Sequence, residues 1–325
     1  MIKKTLSIVV PCYNEEEVLP ESIKRLTQVV DSLIKDNKIS ENSFIFFVND
    51  GSKDNTWNII SEYHSKNKFI CGLNLTTNVG HQNALFAGLS VAYKYSDIIV
   101  SIDADLQDDV NAIISMVEKS YEGYEIVYGV RKSRKKDTLF KKYTALAFYK
   151  LMKFMGAKSI YNHADFRLMS KRAVENLMSY EERNLFLRGL VPLLDSRATS
   201  VYYDREERFA GESKYPFMKM LNFAIDGITS FSVKPLRFIF MLGLSFIILS
   251  LIVLFYILYS YFNLNVAPGW ASLITSVWFC SGCILVSLGI IGEYIGKAYI
   301  ESKRRPRYNI DELLLGTTED IVKYN

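Results

Sequence analysis

Residues 98–109 read Ile98-Ile99-Val100-Ser101-Ile102-Asp103-Ala104-Asp105-Leu106-Gln107-Asp108-Asp109. An apolar run of strand length stops abruptly in a cluster of carboxylates. Asp103 and Asp105 are two residues apart, so on an extended backbone their side chains point the same way. Two carboxylates on one side of a strand end repel each other unless a cation sits between them. Hard divalent cations such as Mg²⁺ or Mn²⁺ take oxygen ligands and bridge one or two carboxylates to phosphate oxygens. The segment reads as a metal–phosphate site at the carboxyl end of a strand. It also reads as a polar turn after a buried strand, and the spacing alone does not separate the two.

Outward from this stretch, short apolar runs alternate with helical periods. Strands are predicted over residues 6–10, 44–48, 71–75, 98–102 and 126–129. Helices are predicted over 16–34, 55–64, 83–95 and 110–118, the first from the spacing of Val18, Leu19, Ile23, Leu26, Val29, Val30 and Leu33. Strand–helix alternation with short connectors implies a doubly wound, mostly parallel α/β sheet. Ligands on such sheets sit at the carboxyl ends of the strands, where the polar clusters 11–15, 49–54 and 103–109 fall. A basic linker, 131–136, precedes an amphipathic helix expected over about 138–155.

The last third has a different composition. Residues 238–262 contain no charged residue, and neither do residues 266–292. Each run exceeds the roughly 20 residues needed to cross a bilayer as a helix. Two spans are predicted, about 237–262 and 268–292. Lys214, Lys219, Lys234 and Arg237 precede them; Lys297, Lys303, Arg304, Arg305 and Arg307 follow. The positive-inside rule then places both termini and the N-terminal domain in the cytoplasm of a multi-pass inner or plasma membrane protein. Residues 215–235 are expected to lie in the membrane interface. The chain thus divides into a catalytic domain (1–214), an interfacial helix (215–235), two spans (236–296) and a basic tail (297–325).

A net charge of +4 is modest and argues against a nucleic-acid partner. The N-terminus carries no apolar h-region, so no cleavable signal is expected. Cys12 and Cys71 read as buried small hydrophobes. Cys280 and Cys283, inside the second span, read as small residues at a helix–helix contact rather than a metal or redox pair. Gly282, Ser287, Gly289, Gly292 and Gly296 suggest packing within or between protomers, hence a homo-oligomer.

Five segments jointly resemble family 2 glycosyltransferases. They are Val10-Pro-Cys-Tyr-Asn-Glu15, Val48-Asn-Asp-Gly-Ser-Lys-Asp54, Asp103-Ala-Asp-Leu-Gln-Asp108, Asp165-Phe-Arg-Leu-Met169 and Arg208-Phe-Ala-Gly-Glu-Ser-Lys-Tyr215. With two C-terminal spans the chain resembles the polyisoprenyl-phosphate glycosyltransferases, among them bactoprenol glucosyltransferases and dolichyl-phosphate mannose synthases. The resemblance implies a GT-A-like (Rossmann-like) fold and an inverting transfer of a sugar from a nucleotide diphosphate to polyprenyl phosphate, serving cell-envelope glycans. It implies Mg²⁺ or Mn²⁺ at Asp105, with Asp103 near the metal and ribose. It places Asp50 at the nucleotide base, with Pro11, Tyr13 and Glu15 lining base and ribose. Gln107 would touch the sugar or the acceptor.

Asp165 matches the position assigned as catalytic base. A lipid monophosphate has a second pKa near 6, however, so at neutral pH it is largely a dianion with no proton to remove. Asp165 is therefore read first as an orienting group or a partner for a cation. Arg131, Arg134, Arg167 and Lys214 are candidates for holding phosphate, Arg being the better bidentate clamp. His81 lies at a strand–helix connection on the substrate edge, where a lone His is more often structural. A UDP-sugar donor is favoured, glucose first; UDP-N-acetylglucosamine and GDP-mannose remain open. A processive polysaccharide synthase would carry Gln-x-x-Arg-Trp, which is absent. A reading of another class is a membrane scaffold that binds nucleotide sugar without turnover.

Overall fold

The computed structural model describes residues 3–132, 163–183, 185–194, 196–204, 234–262, 269–316 and 321–323. Arg134, Lys214, the helix expected over 138–155 and most of the interfacial stretch 215–235 lie outside them. The chain separates into two compact units. One holds the N-terminal two-thirds together with the last 21 residues, and the other holds the apolar helices.

The first unit begins with β1 (Leu6–Cys12), α1 (Leu19–Lys35), β2 (Phe44–Asn49), α2 (Thr56–Lys66) and β3 (Ile70–Leu75). It continues with α3 (His81–Ala92), β4 (Ile98–Ser101), α4 (Ala112–Tyr121), β5 (Ile126–Arg131) and β6 (His163–Ser170). Then come α5 (Lys171–Met178), α6 (Leu187–Leu190) and β7 (Ala198–Tyr203). Among the described residues nine strands form one sheet in the order β7-β5-β6-β4-β1-β2-β3-β8-β9, the last two being Ile310–Leu314 and Ile321–Lys323. The centre, β4-β1-β2-β3, is parallel, as the alternation required.

The flanks complete a mixed sheet. Strand β6 runs antiparallel between β4 and β5, and β8 runs antiparallel along β3. The stretch read as a basic tail therefore contributes two strands to the catalytic unit.

Local chemistry explains the core. Every residue of β1 and β2 is buried, as expected of central parallel strands covered on both faces. Helix α1 begins with Pro at its first turn and buries Leu19, Ile23, Leu26, Val29, Val30 and Leu33 on one side. Helix α3 lies so close to the sheet that a Cβ on Gly88 would meet Val9 at 2.5 Å and Val48 at 2.6 Å. Pro11 extends β1 opposite Val48 rather than ending the strand. It lies past the last β1–β4 pair, Val9 with Ser101, where no β4 partner needs its missing N–H. Cys12 and Cys71 are buried free thiols, as expected.

The second unit holds α7 (Lys234–Phe262) and α8 (Trp270–Lys303). Both are long and apolar enough to cross a membrane, and their apolar windows are unburied. Phe246 and Phe279 meet edge to face at 5.6 Å. Gly282, Gly289, Gly292 and Gly296 have open space where a Cβ would stand, so among the described residues the expected packing of these glycines inside the hairpin is not made.

Candidate functional site

The carboxyl ends of β1, β2, β3 and β4 gather the polar segments. The Asn49–Gly51 turn comes first. Asp50 is buried and its two carboxylate oxygens accept the backbone N–H groups of Val79 (2.7 Å) and Gly80 (3.1 Å). Burial pushes its carboxyl above the ordinary value, against the pull of those two bonds. Gly51 follows at φ +60°, and a Cβ there would stand 2.5 Å from the Asn78 nitrogen. Glycine is required at this point, because two loops touch through bare backbone. The Tyr13–Glu15 loop is tied to the same region: Asn14 N–H donates to Ser52, and Glu15 N–H donates to Thr56. Tyr13 itself is 37% exposed at this edge.

The carboxylate segment keeps the alternation read from sequence. Asp103, Asp105, Gln107 and Asp109 are half-buried, while Ala104, Leu106, Asp108 and Val110 between them are buried. The segment does not continue as a strand. Leu106 takes φ +56°, a strained conformation for a branched side chain, and Gln107 N–H folds back onto Asp105 Oδ1 at 3.1 Å. Asp103 and Asp105 thus remain on the partly open side of a tight turn.

Asp108 has a role other than opening the next helix. It is buried and accepts the Arg131 guanidinium at 2.9 Å and the Tyr203 hydroxyl at 2.6 Å, joining the turn to the ends of β5 and β7. Arg131 is therefore built into the fold through Asp108. Asp109 instead caps the approach to α4 by accepting Asn111 N–H.

Asp165 is the hub of the site. Its strand β6 pairs with β4, which sets it beside Asp103. Arg167, 1% exposed, donates to Asp165 Oδ1 and to the Leu187 carbonyl. This burial corrects the reading of Arg167 as a phosphate clamp: its charge is matched by Asp165 from within. Arg188 approaches from α6, its Nη2 3.0 Å from Oδ2 and its Nε 3.2 Å from both oxygens. Gln82 reaches Oδ2 at 3.5 Å while accepting Leu187 N–H at 3.0 Å. His81 Nε2 lies between two carboxylates, 3.5 Å from Asp103 Oδ1 and 3.6 Å from Asp165 Oδ2.

The electrostatics follow from this packing. Desolvation opposes charge on Asp165, but Arg188, His81 and Arg167 outweigh it and hold the carboxyl well below the usual range. Desolvation also opposes charge on His81, yet Asp103 and Asp165 raise it to about 9. Asp103 is pushed up to about 6, first by desolvation and then by repulsion from neighbouring carboxylates, His81 opposing. Arg188 and Gln82 carried no motif. Two signals existed for them: Gln82 lies beside His81 at the same connection, and Arg188 is a cation in an otherwise apolar stretch, Leu185-Phe186-Leu187, of the kind that buries an ion pair.

Among the described residues no three His, Cys, Asp or Glu side chains gather as a metal cage. Asp103 and Asp105 nevertheless fit a hard divalent cation that completes its shell with phosphate oxygens and water, since such ions take only one or two carboxylates.

Comparison with known proteins agrees with this arrangement. Residues 7–178 match the family described as glycosyl transferase family 2. The chain belongs to that family. Residues 234–298 match the GtrB C-terminal hairpin, covering both apolar helices. A glycosyltransferase of Bacillus subtilis, YkoT, is 55% identical over 94% of this chain and 91% of its own length. The prophage bactoprenol glucosyl transferase homolog of Escherichia coli is 39% identical over 94% and 98%. The bactoprenol glucosyl transferase of Shigella phage SfV is 38% identical over 94% and 97%. This family 2 chain is a glycosyltransferase with a GT-A-like mixed sheet and an apolar C-terminal hairpin.

Proposed function

We propose that the enzyme transfers glucose from UDP-glucose to polyprenyl phosphate, giving a polyprenyl-phosphate sugar for cell-envelope glycans. The observation that carries the proposal is the presence, in one chain, of the Asp103–Asp165–His81 cluster and the hairpin shared with the GtrB family. The relatives named bactoprenol glucosyl transferase support both the sugar and the lipid. Asp50, Pro11, Tyr13 and Glu15 would line the nucleotide. Asp105 and Asp103 would hold Mg²⁺ or Mn²⁺, and that cation would supply charge neutralisation for the departing diphosphate. In this reading the helices cross the membrane, both termini and the catalytic unit are cytoplasmic, and the acceptor headgroup comes to the site from the bilayer surface.

Asp165 does not act as a base here. It is held ionised, both oxygens are engaged by cationic side chains, and the acceptor dianion has no proton to give up. Its work is to fix His81 and Arg188 as positive groups facing an anionic substrate. Attack by the acceptor phosphate at C1, in line with the departing nucleotide, needs orientation more than proton transfer. A thermal-shift screen of nucleotide sugars with Mn²⁺ tests the donor: UDP-glucose should stabilise the protein most. A larger shift with GDP-mannose and none with UDP-glucose would overturn the assignment.

A further inference from the structure

The chain leaves α8 at Arg304, in the left-handed conformation that ends the helix, with its N–H bonded to the Glu301 carbonyl. Three residues later, Arg307 is inside the catalytic unit. Its guanidinium lies 4.3 Å over the ring of Phe86 on α3. Its Nη2 donates to the carbonyls of Tyr180 (2.8 Å) and Glu182 (2.7 Å). By sequence alone this arginine is one of a run of basic residues flanking a span. In the structure it is half-buried and bonded on two sides.

Phe86 is on the helix that begins with His81 and carries Gln82 in its first turn. Tyr180 and Glu182 belong to the segment that leads into α6, which carries Arg188. His81, Gln82 and Arg188 converge on Asp165, alongside Arg167 from its own strand. Arg307 thus joins helix α3, which carries His81 and Gln82, to the segment before α6, which carries Arg188. The neighbouring residues fasten the same strap. Tyr308 hydroxyl bonds Ser90 on α3 at 2.7 Å, Asp311 accepts from Asn74 at 2.8 Å, and Glu312 accepts from the Trp57 ring N–H at 3.3 Å.

We propose that Arg307 is a positioning residue for the transfer reaction, setting the placement of Arg188 and His81 on Asp165. A planar fork that stacks and donates twice suits this role; a lysine provides one point charge and no plane. The inference rests on reading the Asp165 cluster as the active site. Small displacements of a charged group at a reacting centre cost rate far more than binding.

The test is a kinetic cycle of Arg307→Ala and Arg188→Ala on the full-length chain, with undecaprenyl phosphate as acceptor. Arg307→Ala should lower kcat about tenfold or more while leaving the donor KM within about twofold. The double variant should lose less than the product of the two single losses, because Arg307 acts in part through Arg188. Wild-type kcat in folded Arg307→Ala, or losses that multiply in the double variant, would overturn the proposal. Arg307→Lys, which keeps the charge, carries the same measurement if the alanine variant does not fold, and should be intermediate.

A readout without substrate separates this inference from the reading beneath it. The chain has three histidines, so selective labelling resolves them by magnetic resonance. The His81 ring resonance should move in Arg307→Ala while that of His64 stays; an unmoved His81 resonance would contradict the proposal. Absence of wild-type turnover would instead count against the proposed donor and acceptor.

Discussion

Arg188 grips Asp165 through two nitrogens, Nη2 at 3.0 Å and Nε at 3.2 Å, from a helix of four residues that no motif announces. Arg188 is itself 33% exposed, but the same carboxylate, 4% exposed, is also bonded by Arg167, which is 1% exposed. A buried pair of this kind costs more to break than it contributes, because the surviving partner stays in the interior without compensation.

Asp165→Asn should therefore destabilise the catalytic unit by about 3 kcal/mol, leaving Arg167 buried against a neutral amide. The folded-state pKa of Asp165 lies below its unfolded value near 3.9, so its contribution is complete above that pH and is lost as pH falls through the folded pKa. Denaturation of wild type and variant followed from about pH 5 downward should show a gap that narrows as pH falls through the folded pKa. A gap independent of pH would rule out the ionised pair as its source.

Arg131 offers a choice between two roles. Its bond to Asp108, shared with Tyr203, makes it structural. Arg131→Ala should lower stability by about 3 kcal/mol, since it leaves Asp108 buried with its charge unmatched. Tyr203→Phe should cost about 1.5 kcal/mol, one bond to a charged acceptor. Melting curves in detergent check the order. An Arg131→Ala protein of unchanged stability with a raised acceptor KM would restore the phosphate-binding role expected from sequence.

Gly51→Ala should weaken nucleotide binding by about tenfold and lower stability by about 2 kcal/mol. The left-handed backbone penalises any Cβ by about 1–2 kcal/mol, and the new atom would also drive the Asn78 backbone away. Isothermal titration with UDP measures the affinity. Normal affinity in the folded variant would mean that this turn does not shape the nucleotide site.

Removal of divalent cations should abolish turnover, with Mn²⁺ or Mg²⁺ restoring it. Asp105→Asn should lower kcat by about 10³ or more with little loss of stability, because Asp105 is half-buried and an asparagine oxygen can still accept Gln107 N–H. Radiolabel transfer and a melting curve on the same preparation test both statements. An active Asp105→Asn enzyme would remove the metal assignment.

Much of this was legible in the sequence, for physical reasons. The central strands and α1 to α4 follow from apolar periodicity, which is strong where elements are buried on both faces. The carboxylate turn was legible because Asp103 and Asp105, two apart at the end of an apolar strand, crowd like charges that a divalent cation would relieve. Three features were not legible. Strand β6 pairs antiparallel between β4 and β5, and nothing in Asp165-Phe166-Arg167-Leu168-Met169 states its direction. Strand β8 comes from beyond both apolar helices and finds β3 across more than 230 positions of sequence, as the Asn74–Asp311 bond shows. The roles of Arg131, Arg167 and Asp108 depend on which charges become buried together, and that is decided by tertiary packing rather than by spacing.

The proposed reaction is transfer from a UDP-sugar to polyprenyl phosphate at the Asp103–Asp105–Asp165 site. Its most direct test incubates the purified full-length enzyme with labelled UDP-glucose, undecaprenyl phosphate and Mn²⁺ and counts label in the lipid fraction. Label should appear as a phosphate-linked lipid sugar, vanish without the acceptor, and vanish in Asp105→Asn. Tight nucleotide binding with no lipid product from UDP-glucose would contradict the claim.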